Sequence, residues 1–139
     1  MRDDYGRRFL AAAIVLTLGA CGGGGGGGGG VTTPSNPSVP LGPQVSTTTV
    51  TITATGVTPN NILVPVGSRV TFVNNSGATH DMSSDPHPSH TTCPPLNEVG
   101  VLGSGQTRQT GVLDARGTCG FHDHNRPDDT SLRGQIVIQ

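Results

Sequence analysis

The chain has 139 residues, room for one domain beyond any export segment, and its 8 basic residues (all Arg) stand against 9 acidic ones for a formal charge of −1. That balance excludes a basic nucleic-acid binder and a polybasic membrane-surface protein. Aromatics are 3 % and Gly is 22, but the bias is local: nine glycines form the single run Gly22–Gly30, whereas all five His lie between His80 and His124.

In chain order, residues 1–20 read as a signal peptide. Arg2, Arg7 and Arg8 give a positive start, and Phe9–Leu18 is an apolar stretch too short to span a bilayer. It runs into Leu18-Gly19-Ala20-Cys21, small residues before a Cys, which resembles the lipobox of bacterial lipoproteins. The resemblance implies that Cys21 is acylated and becomes the new N-terminus. Gly22–Gly30 can build no core and behaves as flexible coil. Pro34, Pro37, Pro40 and Pro43 then stiffen and extend the chain. Residues 21–44 are therefore expected to tether a domain of residues 45–139 to a membrane of the cell envelope through the lipid alone, facing the periplasm or the exterior. Beyond residue 21, five Arg face seven acids, and in an oxidising compartment the two remaining cysteines, Cys93 and Cys119, are free to pair.

Within the domain no segment has a helical period, and strand patterns recur instead. Thr48–Thr55 alternates around Val50, Ile52 and Ala54; Ile62–Val66 is a short apolar run; Arg69–Asn74 carries Val70 and Phe72. Gln106–Leu113 follows a Gly-Ser-Gly turn, Thr118–His122 follows Asp114-Ala115-Arg116-Gly117, and Gln135–Gln139 closes the chain with Ile136 and Ile138. Turn signals every ten residues or so predict an all-β Greek-key β-sandwich. The exception is Asp81–Val99, with Pro86, Pro88, Pro94 and Pro95 and little apolar content, expected to be a long functional loop carrying Met82, His87, His90 and Cys93.

The segment Val66-Gly67-Ser68-Arg69-Val70-Thr71-Phe72-Val73-Asn74-Asn75-Ser76, followed by Thr79-His80, resembles the cupredoxins, in which a V-T-F-x-N strand precedes the first copper-binding His. The tail Leu132-Arg133-Gly134-Gln135-Ile136-Val137-Ile138 is similar to that family's M-x-G-x-V-x-V ending. The resemblance covers residues 50–139 and implies a β-sandwich with a copper site at one end. Laid over the family pattern G-T-Y-x-Y-x-C-x-x-H from Gly117-Thr118, however, the ligand Cys falls on Asp123 and the Met on Leu132, with extra residues between His124 and Leu132. A rival register makes Cys119 the copper thiolate, but it stands only two residues past Gly117, where the family's ligand Cys lies at the far end of a strand. Against the family's pattern a Cys93–Cys119 disulfide is the preferred reading, pinning the long loop to the sheet.

Period-two alternation puts Cys119, Phe121 and Asp123 on one face of their strand and Gly120, His122 and His124 on the other. His80, by its place in the resemblance, and His122 and His124, spaced i and i+2, are the expected metal ligands. His87, His90, Met82, Asp123 and Cys119 are secondary candidates, Asp123 either as ligand or as an acceptor that fixes a ring tautomer. Imidazole suits Cu(II), Zn and Ni, and without a thiolate the copper geometry would be tetragonal rather than blue. No nucleophile elbow or phosphate-cradling loop follows a strand, so no enzymatic chemistry is expected. The sequence thus reads as a lipid-anchored copper-binding domain. One-electron transfer with a redox partner, copper sequestration or delivery with a copper-handling partner, and a metal-free interaction module remain as its uses.

Overall fold

The structure is a computed structural model that describes residues 39–139; the signal peptide, Cys21 and most of the tether lie outside them. Strands β1 (Val45–Ser46), β2 (Thr49–Thr53), β3 (Gly56–Thr58), β4 (Asn61–Val64), β5 (Thr71–Asn74), β6 (His80–Ser84), β7 (Gly100–Leu102), β8 (Thr107–Gln109), β9 (Gly117–Asp123) and β10 (Gly134–Ile138) follow one another, with short 3-10 helices at Pro94–Glu98 and Thr130–Leu132. They form two sheets, one of six strands in the order β1-β4-β10-β9-β6-β7 and one of four in the order β3-β2-β5-β8. The all-β sandwich expected from the turn spacing is present.

Alternation explains which side chains meet. In β4, β5, β6 and β10 every second residue is buried, as a strand with one face on a core requires. Val50 and Ile52 of β2 and Phe72 of β5 face Ile62 and Val64 of β4, Ile136 and Ile138 of β10, and Phe121 of β9 in one core. Phe72 and Phe121 join the sheets edge to face, with ring centroids 5.2 Å apart, a geometry aromatic pairs favour. Gly134 is a close-approach glycine: a Cβ there would meet the Asn60 carbonyl oxygen and the Phe121 ring.

At the end of the tether, Asn60 Nδ2 donates to the Pro40 carbonyl (3.0 Å) and Asn61 Nδ2 to that of Gly42 (3.0 Å). One expectation needs correction: Asp81–Val99 is not one loop. Strand β6 occupies its start, pairing Met82 with Asp123 and Ser83 with His122, and Pro94–Glu98 is helical, leaving only 85–93 irregular. Strand β6 escapes an apolar-alternation reading because two of its three inward positions are the polar His80 and Ser84.

Candidate metal centre

The pleat of β9 decides the site. Phe121 points into the core, so Asp123 shares its side and His122 and His124 take the opposite one. Segment 85–93 folds over that outer side and is tied down along its length. Asp85 N–H donates to the Gly120 carbonyl (3.0 Å), His90 N–H to that of Pro86 (2.8 Å) and Thr92 N–H to that of Asp85 (3.0 Å). Asn97 Nδ2 donates to the His90 carbonyl (2.8 Å), and the Cys93–Cys119 disulfide, with Cα atoms 5.5 Å apart, closes the segment onto β9.

This brings His87 and His90 onto His122 and His124. One nitrogen from each of the four rings lies within 4.8 Å of all the others. Nitrogens on opposite sides of an ion bound at roughly 2.0–2.1 Å would be about 4 Å apart, so each ring needs to move only by tenths of an ångström. His90 stacks on His122 with centroids 5.0 Å apart and planes inclined by 22°. His87 meets His122 and His124 at 5.5 and 5.0 Å. His90 adopts φ +51°, the only left-handed non-glycine backbone among the described residues. Such a conformation costs about 1–2 kcal/mol in an L residue and is characteristic of functional segments.

Hydrogen bonds set the protons. His90 Nδ1–H donates to the Ser84 carbonyl (2.8 Å), leaving Nε2 to face His124 Nδ1 at 2.8 Å. His122 Nδ1 donates to Asp85 Oδ1 at 2.7 Å. Its Nε2 therefore carries a lone pair, and it is buried with no hydrogen-bond partner among the described residues, as is His87 Nδ1. Buried polar atoms without partners are uncommon and call for an explanation. A cation between the rings would satisfy them, so the residues present fit a metal ion. Their electrostatics agree. The pKa of His87 is lowered, first by desolvation and then by the His124, His122 and His90 rings, with Asp128 opposing. His87 therefore keeps its lone pair to lower pH than an ordinary histidine. Desolvation pushes the Asp85 carboxyl up, but the His122 hydrogen bond, the Arg133 guanidinium and the His122 charge together hold it below its ordinary value.

The structure thus joins two of the expected ligands, His122 and His124, with the secondary candidates His87 and His90. His80 lies elsewhere. Its Nδ1 is 2.9 Å from Asp123 Oδ2, its Nε2 is 2.7 Å from Ser76 Oγ, and an Arg126 nitrogen sits 2.9 Å from Nδ1. As an inward residue of β6 it is on the core side of the larger sheet, opposite the cluster. Asp123 is neither a ligand in this cluster nor the acceptor for one of its rings. It is fully buried and takes Asp81 N–H, Asn125 N–H and Arg126 Nε–H besides His80. Met82 has no exposed surface and belongs to the core, because its register with Asp123 turns it inward. The Cys119 sulfur is consumed by the disulfide and is no thiolate. One participant went unrecognised in the sequence. Asp85, which binds His122, stands two residues before His87 but gives no local sign that it faces a strand some 37 residues on.

No protein-family model and no curated protein matches the chain. Among solved structures it is similar to a purple cupredoxin from Nitrosopumilus maritimus (19 % identity, TM-score 0.55), covering 67 % of this chain and 100 % of that one. It is also similar to an oxidized plastocyanin from Dryopteris crassirhizoma (17 %, 0.51), covering 66 % and 99 %. A reduced mutant amicyanin matches at 21 % and 0.51, covering 66 % and 80 %. The fold is therefore cupredoxin-like, and it carries a cluster of four His on the outer side of one sheet.

Proposed function

We propose that this chain is a lipid-anchored, metal-binding domain of the cell envelope that takes one copper ion, as Cu(II), between His87, His90, His122 and His124. The observation that carries this is the buried Nε2 of His122, without a partner among the described residues, on a ring grouped with three further imidazoles. Copper stands highest among divalent ions for nitrogen ligands, and imidazole sites without thiolate suit its divalent, tetragonal form. Sequestration or delivery of copper is the favoured use. A blue electron-transfer centre needs a thiolate, and the Cys119 sulfur is bonded to Cys93. Attachment through Cys21 would hold the site at the membrane, within reach of a copper-handling partner, on a tether of Gly and Pro.

The test is a Cu(II) titration of the full-length chain in detergent, followed by EPR and visible absorption. One saturable equivalent, with wide copper hyperfine splitting, nitrogen coupling and a pale spectrum, is expected. Absence of saturable binding would leave a metal-free interaction module, and an intense blue colour would return the thiolate and electron transfer. For the anchor, Cys21→Ser should move the protein from the membrane fraction to the soluble one.

A further inference from the structure

On the reading of the four histidines as a metal centre, we infer that Asp85 is its positioning residue and that Gly120 is the vacancy in β9 that admits it. The Asp85 carboxylate holds His122 with the proton on Nδ1 and Nε2 turned into the cluster. A buried imidazole has two near-equivalent ring orientations and two tautomers, and a ligand site needs one combination. Stacking on His90 fixes the plane of the His122 ring but leaves the choice between its two nitrogens open. The 2.7 Å contact from Nδ1 to Asp85 Oδ1 makes that choice.

Three features hold the carboxylate where it does this. Its backbone is pinned by the bonds to Gly120 and Thr92. The Arg133 guanidinium, almost wholly buried, donates to the same Oδ1 at 3.3 Å and so keeps the charge and orientation of the group. Finally, the space is reserved: a Cβ on Gly120 would overlap Asp85 Oδ2 and displace it. Gly120 does not have a left-handed φ, so the backbone there would accept any residue and the constraint is the volume of the carboxylate. Acceptors behind a ligating imidazole orient the ring and raise its basicity, and their loss typically costs about 10–100-fold in metal affinity.

The experiment measures Cu(II) affinity by competition with a chelator, the remote ring nitrogens by pulsed EPR, and the thermal midpoint of the metal-free protein. It uses the full-length chain and its Asp85→Asn, Asp85→Ala and Gly120→Ala variants. The expected result is a loss of about 10–100-fold for Asp85→Ala, with disappearance of one remote-nitrogen signal distinct from the rest. Asp85→Asn, which keeps an acceptor oxygen, should recover part of that loss, and Gly120→Ala should move affinity and spectrum in the direction of Asp85→Ala. Wild-type affinity and spectrum in Asp85→Ala would overturn the inference. So would equal losses in Asp85→Asn and Asp85→Ala that merely track a lowered thermal midpoint. Failure of the unaltered chain to bind copper is a separate result, which removes the metal centre itself.

Discussion

On the inner side of β9, Asp123 meets His80 and Arg126, Ser76 closes the far side of the His80 ring, and both ring nitrogens and both carboxylate oxygens are taken. On the outer side, one residue away in each direction, His122 and His124 meet His87 and His90, and two buried ring nitrogens have no partner among the described residues. The two groups are built from the same residue types at the same end of one strand. What separates them is the balance of donors to acceptors. In the first, a guanidinium supplies positive charge and hydrogens enough to close the network, so a cation arriving there would meet repulsion and displace bonds already made. In the second, lone pairs converge with too few protons between them, and the carboxylate bonded to the group, Asp85, already serves His122 and Arg133. A histidine is thus identified as a ligand by the lone pair left over after hydrogen bonding, not by its place in an alignment.

Exchange of the two histidines is the strongest way to break this contrast. His122→Ala should weaken copper binding by more than any other change here, since it removes one of the four rings together with the ring that Asp85 holds. His80→Ala should leave the copper affinity nearly unchanged and instead destabilise the fold by about 1–3 kcal/mol, because buried Asp123 loses a partner. Copper titration and urea unfolding of both variants decide it. Loss of copper binding in His80→Ala, with retention in His122→Ala, would invert the assignment of the two groups.

The disulfide sharpens the comparison next, for it ties the segment that carries His87 and His90 to β9 and includes no residue of the inner group. Cys93→Ser combined with Cys119→Ser should lower stability by about 2–4 kcal/mol, the usual worth of such a bridge. Copper affinity should fall with it, because His87 and His90 precede Cys93 and would lose their fixed approach to His122. A stable variant with unaltered copper affinity would show that the hydrogen bonds of Asp85, His90 and Asn97 suffice to seat the segment.

How much of this the sequence discloses follows the same division. The sandwich is legible wherever inward positions are apolar, as in Ile62 and Val64 or Ile136 and Ile138. The strand at His80–Ser84 is not, because its inward His80 and Ser84 are polar, and the Asp123 and Ser76 side chains that receive the His80 ring are supplied only by the assembled fold. Alternation along residues 119–124 correctly separates His122 and His124 from Asp123, and the pairing of Cys93 with Cys119 is found in the structure. The likeness of Thr79-His80 to the cupredoxin pattern places His80 in the family's position. Yet Arg126, from the extra residues after His124, occupies its ring with a charge the likeness does not contain. Asp85 is illegible for another reason: its role depends on a side chain that Gly120 lacks.

The smallest expected effect concerns protons on the outer group. The pKa of His87 is lowered, chiefly by desolvation and then by its three neighbouring rings. In the metal-free protein its ring should therefore titrate, by NMR, below the ordinary value of about 6.5. The unfolded chain then binds more protons than the folded one between the two values, and stability rises with pH in that window. The metal-free domain should accordingly be most stable above about pH 6.5 and lose a little stability as pH falls below it, levelling off once the folded ring is protonated too. Copper should remove the titration of the folded His87 ring, since a ligating nitrogen cannot hold a proton, and so carry the fall in stability on to lower pH instead of letting it level off. A His87 ring that titrates at the ordinary value, with or without copper, would show that it stands outside the cluster and that the site has three imidazoles.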